Sequence, residues 1–157
     1  MMKSVLFFSA LCFIASAQGA EGRYVKKIRI SKELTAVVAE GDFEPRSIGS
    51  FTVRFYRADD DEAKRGLDAD DFAGGILRER DGQIEKVELL DLDGDSTNEL
   101  IISVRSAGSG GYLSGFAVGL MGKNVEVLAQ DLGMLQDADV ASELRKILQE
   151  KSKKTGP

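Results

Sequence analysis

The sequence predicts a mainly β fold that ends in a helix. Between positions 23 and 128, apolar residues occur in short runs that Gly and Asp interrupt, which is typical of strands joined by turns. In the run 51–56, Phe51, Val53 and Phe55 alternate with Thr52, Arg54 and Tyr56, so one face would point to a core and the other to solvent. Near the C-terminus the apolar spacing becomes that of a helix.

The first 20 residues are predicted to be a secretory signal peptide. Lys3 precedes the apolar run Val5–Ile14, and small residues follow, so cleavage is expected after Ala17 or Ala20. A positive start, a short apolar run and an A-x-A site define such a signal. The run is too short to span a bilayer, which takes about 20 residues. Residues 21–157 are then expected to form a single domain.

Eight strands are predicted in this domain, and turn residues separate them. The breaks fall at Gly41-Asp42, at the charged stretch Asp59–Lys64, at Asp81-Gly82 and at 122–124, the last of which reads as a hairpin turn. In chain order the predicted strands are Tyr24–Ile30, Leu34–Ala39, Ser47–Tyr56, Phe72–Leu77, Ile84–Leu90, Leu100–Val104, Gly115–Leu120 and Val125–Ala129.

The predicted helix begins near Asp137–Asp139. Its apolar residues fall on one face, so we expect the helix to cap the open end or a face of the sheet. Lysines lie at or beyond its C-terminus, where cations interact favourably with the helix dipole. The apolar residues are Val140, Leu144, Ile147 and Leu148, and the lysines are Lys151, Lys153 and Lys154.

The composition excludes several classes of function. The chain has no His, and its one Cys, Cys12, lies in the predicted signal. Ser-His-Asp and Cys-His catalysis, zinc sites built on His and Cys, and disulfides in the mature chain are therefore excluded. The formal net charge is −5, and it falls to about −6 without Lys3. Such a charge argues against a general nucleic-acid or anionic-membrane binder.

The acidic segment Asp91–Glu99 has carboxylates at relative positions 1, 3, 5 and 9. Alternate residues of a tight loop can turn oxygen ligands toward one Ca²⁺, with the Thr97 carbonyl as a further candidate. The segment is not an EF-hand, and Ser96 stands where such loops usually have Gly. Two alternatives stay open, namely an acidic turn that binds its own amides and a carboxylate pair for glycoside hydrolysis. The four carboxylates are Asp91, Asp93, Asp95 and Glu99.

The segment Ser106–Gly115 is rich in Gly and joins two predicted strands. Phosphate-binding loops place their glycines between a strand and a helix, so a nucleotide site is not expected here. Dense Gly instead permits a narrow protruding loop, on which Ser109 and Tyr112 would present hydroxyls that can donate hydrogen bonds to carboxylates. The alternative is that Tyr112 folds back as a turn anchor and the glycines only relieve steric crowding.

These segments resemble the periplasmic inhibitors of invertebrate-type lysozyme, the PliI family. The most specific part of the resemblance is the Ser-Gly-x-Tyr loop, here Ser109-Gly110-Gly111-Tyr112. The resemblance covers most of the mature domain. It extends over 39–44 (AEGDFE), 47–50 (SIGS), 72–76 (FAGGI), 84–87 (IEKV), 90–95 (LDLDGD), 99–102 (ELII) and 105–112 (RSAGSGGY).

The resemblance implies an antiparallel β-sandwich or flattened barrel, a periplasmic location and a homodimer. It also implies that the protein is not an enzyme and has no cofactor. Its partner would be a lysozyme, with the invertebrate type favoured. The inhibitory loop would be Ser109, Gly110, Gly111 and Tyr112, supported by Arg105, Ser106 and Gly108. A calcium-stabilised envelope-binding module without inhibitory activity remains the alternative.

Overall fold

The computed structural model describes residues 22–58, 61 and 66–155, so the predicted signal peptide lies outside the described residues. These residues form eight strands and a C-terminal helix, as predicted. The strands are β1 (Val25–Ser31), β2 (Leu34–Glu40), β3 (Ile48–Tyr56), β4 (Phe72–Asp81), β5 (Gln83–Leu90), β6 (Glu99–Arg105), β7 (Leu113–Met121) and β8 (Asn124–Met134), and the helix is α1 (Val140–Thr155).

The strands form two antiparallel sheets, each built from four consecutive strands. The sheet orders are β1-β2-β3-β4 and β5-β6-β7-β8. The sheets pack face to face as a sandwich, and within the described residues they do not close into a barrel. Of the two predicted architectures, the structure therefore confirms the β-sandwich and not the flattened barrel.

The core between the sheets comes from the alternation seen in the sequence. Phe51, Val53 and Phe55 of β3 are at most 1% exposed, and they face apolar residues of β6 and β7. The ring of Phe51 packs edge-to-face against Phe116 of β7, with centroids 5.2 Å apart. This is a favoured aromatic geometry.

Helix α1 covers the outer face of the second sheet. Of the two positions expected for the helix, the open end or a face of the sheet, the structure confirms the face. Val140 and Leu144 pack on Ile101 and Ala117, so β6 is buried on both faces. Gly115 permits the close approach, because a Cβ there would lie 2.5 Å from a methyl carbon of Val140.

The N-terminus of α1 is capped by Asp139, whose carboxylate accepts a hydrogen bond from the Ser142 amide at 3.2 Å. Within the described residues, no helix is long and apolar enough to cross a membrane.

Strands β4 and β8 are longer than predicted. The predicted β4 ended at Leu77, and the next break was predicted at Asp81-Gly82. The structure continues the strand to Asp81 and buries Arg80, which is 3% exposed. Likewise β8 extends past the predicted end at Ala129 through its pairing with β7. Tertiary pairing therefore overrides the local composition at both strand ends.

The two segments singled out in the sequence lie at opposite ends of the sandwich. The acidic segment precedes β6 and the glycine-rich loop (residues 106–112) follows it, so the seven residues of β6 hold them roughly 20 Å apart. The end that carries the glycine-rich loop, hereafter the loop end, also carries the β2–β3 loop (41–47) and the turn at Gly82. The acidic segment shares the other end with the Gly122-Lys123 turn.

Candidate functional site

The glycine-rich loop is closed by its own backbone. The Ser106 amide donates to the Tyr112 carbonyl at 2.8 Å, and the Gly111 amide donates to the Gly108 carbonyl at 3.1 Å. The Ser106 hydroxyl also accepts from the Gly108 amide at 3.2 Å. Gly111 has φ of 55°, in the left-handed region that Gly adopts without a steric cost. The loop is therefore a compact extension of the β6–β7 hairpin.

Arg105 holds the base of this loop. Its guanidinium binds both carboxylate oxygens of Glu85, with Nε–Oε2 at 2.6 Å and Nη2–Oε1 at 3.0 Å. The same side chain donates through Nη1 to the carbonyls of Gly111 at 2.8 Å and Gln136 at 3.2 Å. Hydrogen bonding to Glu85 raises the pKa of Arg105. One charged side chain thus joins the loop to β5 and to the segment before α1.

The outer part of the loop faces solvent. Residues 107–110 are exposed, and the Ser109 hydroxyl has no partner among the described residues. Tyr112 is 49% exposed, and its ring lies over Gly110, where a Cβ would overlap the ring. The structure thus combines features of both alternatives for Tyr112, since the ring rests against the loop and still offers half of its surface.

Two neighbouring segments adjoin the base of the loop. Gly82, between β4 and β5, packs directly under the Arg105 carbonyl, where a Cβ would overlap the backbone. Its amide donates to the Ser47 carbonyl at 2.7 Å. The Ser106 hydroxyl lies 3.5 Å from a carboxylate oxygen of Asp81. Sequence reasoning identified Asp81-Gly82 only as a break between strands, because its contact with Arg105 spans more than 20 residues of chain.

Sequence reasoning also missed a buried polar cluster beneath these segments. The side chains of Glu40 and Arg80 are 1% and 0% exposed, with Arg80 Nε 3.9 Å from Glu40 Oε1. Arg80 donates to the carbonyls of Arg46 at 2.8 Å and of Gly82. Glu40 accepts from the Ile84 amide at 2.8 Å. The cluster therefore ties the β2–β3 loop to the turn that supports the glycine-rich loop.

The acidic segment binds its own backbone. Asp91 accepts from the amides of Gly94 at 2.7 Å and Ser96 at 3.0 Å, and buried Glu99 accepts from the Leu92 amide at 2.7 Å. Ser96 has φ of 70°, the conformation for which Gly is usual. These contacts match the acidic-turn alternative.

The same segment could still hold a cation. Oxygens of Asp91, Asp93 and Glu99 lie within 4.8 Å of one another. Burial and, to a smaller extent, the neighbouring aspartates raise the pKa of Glu99. An adjoining cavity of about 200 Å³ is smaller than the roughly 300 Å³ at which ligand pockets begin, which argues against a saccharide-cleaving site here.

Comparison with known proteins gives concordant results. Residues 22–148 match the family model described as periplasmic lysozyme inhibitor of I-type lysozyme. The chain is similar to the crystal structure of PliI from Aeromonas hydrophila, with 36% identity, a TM-score of 0.69, and coverage of 77% of this chain and 98% of that one. It is equally similar to Aeromonas hydrophila PliI in complex with Meretrix lusoria lysozyme, with 36% identity, a TM-score of 0.69, and coverage of 78% and 95%. No curated protein matches the sequence.

Proposed function

Because the chain belongs to the family of periplasmic lysozyme inhibitors of I-type lysozyme, we propose that it inhibits an invertebrate-type lysozyme by inserting the glycine-rich loop into the active-site cleft. The observation that carries this proposal is the loop itself, which presents the exposed Ser109 and the half-exposed Tyr112 on a hairpin fixed by Arg105. The solved relative in complex with Meretrix lusoria lysozyme supports lysozyme as the partner.

The chemistry of the target matches the loop. Glycosidases of this kind cut their substrate with a pair of carboxyl groups, one acting as acid and the other as nucleophile or stabiliser. The hydroxyls of Ser109 and Tyr112 would donate hydrogen bonds to these groups, and such bonds are strengthened when the acceptor is charged. The bound loop would exclude the substrate, so inhibition would need no reaction by the inhibitor, as expected of a protein that is not an enzyme.

The rigidity of the loop supports tight binding. Association is penalised when flexible segments must become ordered, and a loop fixed beforehand avoids much of that cost. The hydrogen bonds from Arg105 to Glu85, Gly111 and Gln136 fix the loop in the free protein. Arg105, Ser106 and Gly108 would therefore support the loop.

Export to the periplasm belongs to the same proposal. The family description places its members there, and the sequence of residues 1–20 has the composition of a signal peptide. Homodimer formation, which the resemblance implies, stays a prediction.

The purified mature domain, residues 21–157, is expected to inhibit lysis of peptidoglycan by an invertebrate-type lysozyme. Chicken-type and goose-type lysozymes, assayed at the same protein concentrations, should retain their activity. Circular dichroism on the same sample would confirm that the inhibitor is folded. A folded sample that inhibits none of the three enzymes would refute the proposed function.

The alternative of a calcium-stabilised module is favoured only by the proximity of Asp91, Asp93 and Glu99. Because backbone amides already bond Asp91 and Glu99, we expect the thermal midpoint of the mature protein to be the same in EDTA and in millimolar Ca²⁺. Scanning calorimetry under both conditions tests this expectation. A midpoint several degrees higher with Ca²⁺ would instead identify a metal site.

A further inference from the structure

We propose that Phe43 is a second anchor of the inhibitor, an aromatic side chain that enters an apolar part of the lysozyme cleft beside the glycine-rich loop. This inference rests on the proposed function and adds a contact that the Ser-Gly-Gly-Tyr sequence does not contain.

Neither the core nor the local backbone accounts for a Phe at this position. Phe43 lies near the tip of the β2–β3 loop (41–47), and its side chain is fully exposed, so burial within this chain contributes nothing. Its φ is 62°, in a region that Gly, Asn and Asp adopt readily and that is an outlier for a bulky residue. Strained residues of this kind cluster at binding and catalytic sites, where a function offsets their cost.

The backbone on one side of Phe43 is fixed by Glu44. The two carboxylate oxygens of Glu44 accept from the Ser50 amide at 2.5 Å and from the Ser50 hydroxyl at 2.7 Å. These bonds lower the pKa of Glu44. The carboxylate occupies space that Gly41 and Gly49 leave free, because a Cβ on either residue would overlap it or approach it closely. The loop is therefore packed around its own acidic side chain.

Two arginines from other parts of the chain fix the same loop. Buried Arg80 donates to the carbonyls of Arg46 at 2.8 Å and Pro45 at 3.3 Å. Arg23 donates to the carbonyl of Glu44. The exposed ring of Phe43 thus stands on an ordered support, and ordering of the backbone would add little to the cost of binding.

The position of Phe43 identifies the surface of the partner that it meets. The β2–β3 loop and the glycine-rich loop leave opposite sheets at the loop end, and packed sheets lie about 10 Å apart. The Gly82 amide, bonded to the Ser47 carbonyl, connects the two loops through one turn. A cleft that receives Tyr112 would therefore also face Phe43.

The chemistry of such a cleft suits an aromatic ring. Ligand clefts are lined mostly by apolar and aromatic side chains, with a few polar groups that fix orientation. In this arrangement Ser109 and Tyr112 meet the carboxyl groups, whereas Phe43 covers apolar lining. Phe is also enriched at the cores of protein interfaces relative to the remaining surface.

Replacing Phe43 with Gly should have opposite effects on binding and on stability. We expect the Kd for an invertebrate-type lysozyme, measured by titration calorimetry on the mature protein, to rise at least about tenfold. The thermal midpoint should rise by about 2–4 °C, because Gly adopts the positive φ without strain. F43A should lose the same affinity without the gain in midpoint, and F43Y, which keeps the ring, should bind within about threefold of the wild type.

Met121→Ala is a matched control, because Met121 is 56% exposed and lies at the opposite end of the sandwich, beside the Gly122 turn. It should leave the affinity unchanged. Unchanged affinity in both F43G and F43A, with a wild type that binds, would overturn the role of Phe43 and leave the proposed function intact. A lower midpoint in F43G would show that Phe43 supports the fold, and this result would also overturn the proposed role of Phe43 in binding. A wild type that does not bind would refute the proposed function itself.

Discussion

Replacing Tyr112 with Ala is expected to weaken binding to an invertebrate-type lysozyme by about 2 kcal/mol or more, roughly a thirtyfold rise in Kd. Tyr112 supplies both exposed ring surface and a hydroxyl at the end of the glycine-rich loop. Aromatic residues that pack into a desolvated pocket dominate the energetics of protein interfaces. Titration calorimetry or inhibition of peptidoglycan lysis would give the change directly.

Two further variants separate the ring from the hydroxyl. Y112F removes only the hydroxyl, so it should lose the hydrogen bond to a lysozyme carboxylate and keep the ring against Gly110. S109A removes the other exposed hydroxyl, and its side chain makes no bond within the described residues that its loss could disturb. A folded Y112A protein that inhibits as strongly as the wild type would contradict the assignment of the loop.

Replacing Arg80 with Met is expected to lower the free energy of unfolding by about 3–5 kcal/mol, because it leaves the buried charge of Glu40 without its partner. The loss should also loosen the β2–β3 loop and the Gly82 turn, whose carbonyls Arg80 binds. Denaturant unfolding measures the first effect, and the lysozyme inhibition assay measures the second.

The double variant Glu40→Gln, Arg80→Met tests whether the unpaired charge of Glu40 causes the loss of stability. Removing both charges should restore part of the stability, because an uncompensated buried charge costs more than the absence of the pair. Lys146→Met, which breaks the exposed pair with Glu143 on α1, should leave stability unchanged within error. Equal stability of R80M and K146M would refute the importance of the buried cluster.

The strands and the helix could be predicted because their patterns are local. Alternation in β3 and helical spacing from Val140 are each visible within about ten residues of sequence. The last four residues of β4 were missed because all of them are charged, so no apolar alternation continues past Leu77. The sequence does not reveal that Glu40, about 40 residues earlier, pairs with Arg80 in the interior.

The same distinction between local patterns and distant contacts applies to the candidate site. The glycine-rich loop and its hydroxyls were visible as a segment, and the family resemblance implied their inhibitory role. The supports of the loop come from residues distant in sequence, namely Glu85, Gln136 and Gly82, which only the packed sandwich brings together. Phe43 lies in the segment 39–44, which is part of the family resemblance, but its positive φ and complete exposure appear only in the folded protein.

The division of the sandwich into two consecutive halves has a consequence for how the chain is made. A polypeptide that emerges N-terminus first can pair β1 to β4 as soon as residue 81 has appeared, since that sheet needs no later strand for its ladder. Until β6 and β7 follow, however, the face that carries Phe51, Val53 and Phe55 has no cover. If β1 to β4 pair before β6 and β7 have appeared, this sheet exposes its apolar face, and a chaperone that shields apolar surface would then give the greatest protection against aggregation.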